Sequence, residues 1–382
     1  MGFHEFSSPY DWSRIAAYKR TAKAAFGGMI DLSVGSPVDP VPDSVRKALA
    51  VAANDPNAYG YPATAGTADL RAAIAEWFSA ARNVDLQAIH ADVVPTVGSK
   101  EGVALMASLL HFGEDDVVVQ PKVSYPTYEI GTQLAGAQVL KVDDVADVAS
   151  WRNVPSVKAV WVNSPCNPTG EVYSAERMAG IVAAVREIGA VVLSDECYAL
   201  MQWRGATNSA DDDPLQSTPC ALRSDVCAGS AEGVLVLYSL SKQSNMAGYR
   251  TAFIAGDESL IASMSAYRKQ IGQIIPGPVQ AAMAAGLRDL ESVKVQHVRY
   301  RERLGVLVSA LRAYGYCTDM PDGALYVWVR AKSGDCWTDM EQLAKIGIIA
   351  SPGEFYGAPE CLRFSATASD EAIASAAERL AR

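Results

Sequence analysis

From Asp92 onward, short apolar runs alternate with longer amphipathic ones. The runs predict strands at Val93–Val97, Val117–Val119, Val139–Val142, Val157–Asn163, Val191–Ser194, Val234–Ser239 and Ala252–Ala255. Between them the 3.6-residue period predicts helices at Ser99–His111, Thr127–Ala135, Ser174–Ile188 and Glu258–Ile271. The strands are rich in valine and almost continuously apolar. Such strands, interleaved with helices, predict an α/β fold, a mostly parallel seven-stranded sheet covered by helices on both faces. Ligands of such sheets sit beyond the carboxyl ends of the strands. Ser99, Tyr125, Asn167, Asp195 and Lys242 each lie just past an apolar run.

The flanking segments read differently. Asp31 to Pro37 predicts a short strand ending in a Gly-Pro turn, and Ser44–Ala53 a helix. The loop Asn57–Gly66 precedes a helix capped by Gly66 or Thr67, with Leu70, Ile74, Trp77 and Phe78 on one face. After Pro276-Gly277-Pro278, a long helix or a broken pair runs to about Leu311, and its charge run Arg299–Arg303 reads as a solvated face. Strands Leu325–Val329 and Leu362–Phe364, with helices near Met340 and Glu371, complete a smaller α+β segment. The implied division is an arm and part of a small domain over 1–46, a large domain over 47–278 and a small domain over 279–382. The polar interruption Thr207–Glu232, with Asp211-Asp212-Asp213, reads as a surface excursion rather than a metal site.

Composition narrows the class. With 382 residues, 49% hydrophobic and 20% charged, the chain can bury a large core. A net charge of −10 and the lack of a basic run argue against nucleic acid. No signal-like or membrane-spanning apolar segment stands out, and Phe6 spoils a myristoylation signal at Met1-Gly2. Seven cysteines without a CxxC pair suit reduced thiols, and four scattered histidines encourage neither a metal site nor a Ser-His-Asp triad. The expectation is a cytoplasmic enzyme with an organic cofactor.

Candidate chemistry centres on Ser239 to Arg250, SLSKQSNMAGYR, which reads as a polar loop between two strands. Lys242, flanked by hydroxyls and followed eight residues later by Arg250, suits an amine forming a Schiff base beside a phosphate. An ordinary solvated lysine fits the stretch equally well. Gly98-Ser99-Lys100 opens a helix after a strand, an arrangement that receives phosphate, although Ser99 also suits a plain N-cap. Tyr125 could stack on a flat ring or fill the core. Asn163 to Gly170, NSPCNPTG, is a constrained loop with two amide side chains. Asp195, in SDECY, is a carboxylate at a strand end that needs a partner such as a protonated ring nitrogen.

NSPCNPTG, SDECY and SLSKQSNMAGYR, in that order, resemble fold-type I pyridoxal-phosphate enzymes, specifically class I/II aminotransferases, and the likeness runs from Asp31 to Arg363. The resemblance implies pyridoxal 5'-phosphate held as a Schiff base by Lys242, which also shuttles a proton. It implies Asp195 on the ring nitrogen, Tyr198 and Asn167 on the 3'-oxygen, and Tyr125 on the ring face. Ser99, Lys100, Ser239, Ser241 and Arg250 would surround the phosphate; many relatives carry a small or hydroxyl residue where this chain has Lys100. Tyr61 would reach the neighbouring subunit's phosphate, implying a homodimer with shared sites. Arg363 would grip the substrate carboxylate, Gly35 would lie over the substrate, and Asn167-Pro168 would be a cis bond.

A finer likeness, carried by DLSVGSPVDPVP, YPATAGT and PGEFYG, is to N-succinyldiaminopimelate aminotransferases of the actinobacterial type. It implies amino transfer from glutamate to N-succinyl-2-amino-6-oxopimelate, ping-pong through pyridoxamine phosphate, in lysine biosynthesis. The extra carboxylates need donors beyond Arg363, with Ser36 and the Tyr10–Arg20 stretch the first places to look. An aminotransferase for aspartate, alanine or an aromatic amino acid, or a carbon–sulfur β-lyase, shares the same core motifs.

Overall fold

The computed structural model describes residues 10–56, 58–203 and 218–382. Its strands are β1 (Ile30–Asp31), β2 (Ala91–Val97), β3 (Val117–Pro121), β4 (Gln138–Val142), β5 (Val157–Asn163), β6 (Val191–Asp195), β7 (Val234–Ser239), β8 (Thr251–Asp257), β9 (Tyr326–Arg330), β10 (Ile348–Ile349), β11 (Ser351–Pro352) and β12 (Cys361–Ser365). The helices that matter for the site are α1 (Ala16–Ala24), α2 (Asp43–Ala52), α3 (Ala68–Arg82), α4 (Ser99–Leu109) and α5 (Thr127–Leu134).

The large sheet has the order β2-β8-β7-β6-β5-β3-β4, parallel except for β8, which runs antiparallel to both neighbours. The interior strand β7 is buried at every position, whereas edge strand β4 turns Gln138 and Lys141 to solvent. Seven expected strands are therefore present, each within two residues of its predicted bounds. A second core packs around a three-stranded antiparallel sheet, β11-β12-β9, formed by the C-terminal quarter with the N-terminal segment laid against it. Parallel pairing of β1 with β10 stitches that segment in place, although only Ile30 and Asp31 of the predicted strand take part.

Three local expectations need correction, and the alternative of a long helix or a broken pair after Pro276 is decided for the pair. The Lys242 stretch is not a plain polar loop: Leu240–Gln243 forms one helical turn, α8 in chain order, capped by the Ser239 side chain accepting from Ser241 N–H. Leu240, Ser241 and Gln243 are all buried, so the turn is sunk into the protein rather than lying in solvent. The segment after Pro276 breaks into Gly277–Arg288 and Leu290–Ala313, because Asp289 caps the second helix by accepting from Ser292 N–H. Finally, Arg299–Arg303 is not a solvated face. Tyr300 and Arg303 are buried, and Arg303 makes a two-pronged pair with Asp39 (2.7 and 2.8 Å) and a bond to Asp370 (2.6 Å). The expected surface excursion is also corrected where it is described: Cys220, Ala221, Leu222, Val226 and Cys227 are buried in the main core, while Asp211 to Asp213 lie outside the described residues.

Candidate active site

The carboxyl ends of the large sheet and the face of the small one enclose a cavity of about 380 Å³. Of the residues singled out in the sequence, Gly35, Ser36, Ser99, Lys100, Tyr125, Asn167, Asp195, Tyr198, Ser239, Ser241, Lys242, Arg250 and Arg363 all line it. Tyr61 does not. It is fully exposed on a loop away from the cavity.

The sheet side is fixed by short turns. Asn163, ending β5, donates to the Asp195 carbonyl (2.9 Å) and accepts from Asn167 N–H (2.8 Å), locking the Asn-rich loop onto the end of β6. Both Ser164-Pro165 and Asn167-Pro168 are cis. Asp195 itself is buried; its carboxylate accepts from the Tyr128 hydroxyl (2.7 Å) and from Cys197 N–H (3.1 Å). Both donors are neutral, and burial pushes the Asp195 carboxyl above its ordinary range. Tyr128 is held in turn by stacking on Trp161, with centroids 4.4 Å apart.

Gly98 takes φ 77° between β2 and α4, a conformation favouring glycine, and the Arg250 guanidinium packs where a side chain would project. Arg250 therefore lies against the N-terminus of α4, close to the Ser239 and Ser241 hydroxyls, which are 2.8 Å apart. The Lys242 amine donates to the Gly35 carbonyl from the N-terminal segment. Burial lowers its pKa below the usual lysine value, with Arg363 adding to the effect. The solvated-lysine alternative is thereby removed.

The small-sheet side is aromatic. Arg363 on β12 is buried, donates to Asn167 Oδ1 (2.7 Å) and to the Ser33 carbonyl (2.8 Å), and leaves its Nε without a partner. Its guanidinium carbon lies 3.9 Å from the centre of the Tyr326 ring and 4.8 Å from that of Tyr356. The N-terminal segment supplies the remaining wall through Tyr10 and Trp12, which pack edge-on against Phe355. Arg14 anchors this wall by pairing with Glu354 (2.5 Å) over the Trp337 ring.

The family model for aminotransferase class I and II matches residues 27–380. The chain belongs to that family. Among curated relatives, this aminotransferase is 40% identical over 373 residues to the 4-dedimethylamino-4-oxo-anhydrotetracycline transaminase OxyQ of Streptomyces rimosus, covering 97% of this chain and 98% of that one. It is 39% identical to the probable aminotransferase Rv1178 of Mycobacterium tuberculosis, covering 97% and 84%. A solved structure, the probable N-succinyldiaminopimelate aminotransferase of Thermus thermophilus, superposes with a TM-score of 0.84 at 26% identity, covering 97% and 99%.

Aminotransferases of this class depend on pyridoxal phosphate, and the cavity's donor set fits that group. A buried carboxylate with only neutral donors suits a protonated ring nitrogen. Two hydroxyls, a guanidinium and a helix N-terminus suit a phosphate. Sequence reasoning passed over Tyr128, Cys197, Tyr326 and Tyr356. Tyr128 had a signal, standing one helical turn from Tyr125 at the same strand end. Nothing in the sequence singled out Tyr326 or Tyr356: the pairing of β9 with β12 brings Tyr326 to Arg363, and the short turn Gly353–Tyr356 after β11 brings Tyr356.

Proposed function

We propose that this aminotransferase moves the amino group between glutamate and N-succinyl-2-amino-6-oxopimelate, giving 2-oxoglutarate and N-succinyl-LL-2,6-diaminopimelate. The observation that carries a diacid substrate is that, with Lys242 and Arg250 assigned to the cofactor, two cations on different walls of the cavity remain without carboxylate partners among the described residues. Arg363 projects from β12; Lys100 projects from the head of α4, its amine 5.5 Å from the Tyr10 ring centre. Burial and the neighbouring Arg250 lower the Lys100 pKa, so an arriving carboxylate meets a cation that gains by being paired. The likeness to the Thermus protein, a probable N-succinyldiaminopimelate aminotransferase, supports the same substrate.

When bound, pyridoxal phosphate supplies the electron sink and carries the amino group between the two half-reactions. In this reading Lys242 Nζ would hold the cofactor covalently and would also serve as the base that takes the proton from the substrate Cα. Asp195 keeps the ring nitrogen protonated. Tyr198 and Asn167 donate to the 3'-oxygen, Tyr125 covers the ring, and Ser99, Ser239, Ser241 and Arg250 hold the phosphate beside the Lys100 backbone. Arg363 orients the α-carboxylate, Gly35 covers the substrate, and Lys100 receives the distal acid. The exposed Tyr61 reaches the phosphate of a second copy in a homodimer with shared sites. Mixing Lys242→Ala and Tyr61→Phe subunits then restores one intact site per hybrid.

A second reading, transfer to a different oxo compound, is favoured by the identity to OxyQ. Half-reactions with N-succinyl-LL-diaminopimelate, aspartate, alanine and cystathionine separate the cases. The succinylated diamino acid is expected to react fastest. Fastest turnover of aspartate or alanine overturns that assignment, and pyruvate with ammonia from cystathionine identifies a lyase.

A further inference from the structure

Tyr326 stands where three parts of the site meet. It opens β9, is buried, and pairs across the small sheet with Ser365, two residues from Arg363. Its hydroxyl lies 2.6 Å from that of Tyr198, with the rings edge-to-face at 70°. Its ring lies under the Arg363 guanidinium at 3.9 Å. The same hydroxyl fills the space a side chain at position 35 would take, which explains a glycine there, and the Gly35 carbonyl accepts from Lys242.

We propose that Tyr326 is a positioning residue acting through two neighbours: its hydroxyl donates to Tyr198, and its ring sets the plane of Arg363. Two phenols 2.6 Å apart share one proton in their hydrogen bond, so one donates and the other accepts. If Tyr198 donated to Tyr326, only its lone pairs would face the cavity, useless to an oxygen that carries negative charge. With Tyr326 as donor, the Tyr198 proton is left free to point inward, and a phenol that accepts one hydrogen bond donates a stronger one. Burial, the largest influence, keeps the Tyr198 phenol protonated, so it remains a donor throughout the working range. Beneath Arg363, the ring's face attracts the cation and leaves the guanidinium edge, with its unpartnered Nε, for ligand.

This inference rests on the placement of Tyr198 beside the cofactor oxygen proposed above. The test is a pH titration of bound-cofactor absorbance, with KM for glutamate, in Tyr198→Phe, Tyr326→Phe and Tyr326→Leu. Tyr198→Phe is expected to raise the absorbance midpoint by about one pH unit, and Tyr326→Phe by roughly half as much in the same direction. Tyr326→Phe keeps the ring and leaves KM within about twofold; Tyr326→Leu raises KM on the order of tenfold. An unmoved midpoint in Tyr326→Phe, with a shifted one in Tyr198→Phe, overturns the donor role alone. An unmoved midpoint in Tyr198→Phe overturns the placement on which it rests. Unchanged KM in Tyr326→Leu overturns the role toward Arg363, and should Tyr326→Leu fail to fold, Tyr326→Trp reads the same plane.

Discussion

Asp195 and Glu196 are chain neighbours and both are buried carboxylates, yet they face different regions under opposite electrostatic conditions. Glu196 points into the interior behind the sheet, where Arg82 pairs with it at 2.8 Å, both side chains 1% exposed, and Ser194 and Ala221 N–H complete its shell. Asp195 points into the cavity and takes its hydrogen bonds from neutral groups, the Tyr128 phenol and the amide and thiol of Cys197. The arginines divide in the same way. Arg82, Arg268 and Arg303 are buried with carboxylates; Arg363 is buried with an amide oxygen, a carbonyl and two aromatic rings. The interior is electrostatically closed. The cavity holds the Asp195 carboxylate at the floor of its sheet side, apart from the phosphate-side cations Lys100 and Arg250, and the Arg363 cation on its small-sheet side. Neither Asp195 nor Arg363 has a charged hydrogen-bond partner among the described residues. A ligand presenting a protonated ring nitrogen to one and a carboxylate to the other satisfies both.

Variants on the two sides of this divide should therefore fail differently. The largest effect is expected from Lys242→Ala, which should lower transamination by at least about 10⁴-fold. The melting temperature of its cofactor-free form should not fall, because a buried amine has been removed; enzyme assay and thermal melt together check this. Next, Glu196→Gln strands the Arg82 charge and should cost about 3–5 kcal/mol in denaturant unfolding of the cofactor-free protein. Asp195→Asn, one residue away, should stay within about 1 kcal/mol of wild type in the same experiment while losing activity on the order of 10²-fold. Equal destabilisation by both would erase the distinction. Arg363→Met should raise KM for glutamate on the order of 10²-fold with little change in cofactor-free stability, read by steady-state kinetics.

The smallest effect concerns pH. Asp39 joins the segment over the cavity to the helix bearing Arg303. Burial opposes its ionisation, but the bonds from Arg303 and Gln296 outweigh this and hold its pKa below the ordinary 3.8. A carboxylate depressed on folding contributes stability above its ordinary pKa and loses it as pH falls through the lower folded value. Melting curves from pH 6 down to pH 3 should thus drop less steeply in Asp39→Asn than in wild type.

The divide also explains what could be read from the chain beforehand. Strands and strand-end polar residues were legible because β7 and, apart from Lys158, β5 are apolar up to their last residue, and each ends in a residue an apolar strand has no use for. Motif order then tied Lys242, Asp195 and Asn167 to one fold. Charge pairing was not legible. Nothing local distinguishes Arg303, read as solvated, from Arg363: Arg303 is paired by Asp39, 264 residues away, whereas Arg363 meets only the Ser33 carbonyl, 330 residues away, and the Asn167 amide oxygen. Tyr326 was hidden for the same reason: a tyrosine starting a strand looks like core until its cross-strand neighbours are known. The helical turn at Lys242 escaped because four residues carry too little periodicity to outweigh a run of serines.

The most direct test is the thermal melt of the cofactor-free protein with and without pyridoxal phosphate, and then with an unreactive dicarboxylate, in wild type, Asp195→Asn and Arg363→Met. The account predicts stabilisation by the cofactor in wild type and in Arg363→Met, most of it lost in Asp195→Asn, and a further gain from the dicarboxylate that disappears only in Arg363→Met. Equal cofactor stabilisation of Asp195→Asn and wild type, or a dicarboxylate gain that survives in Arg363→Met, would contradict it.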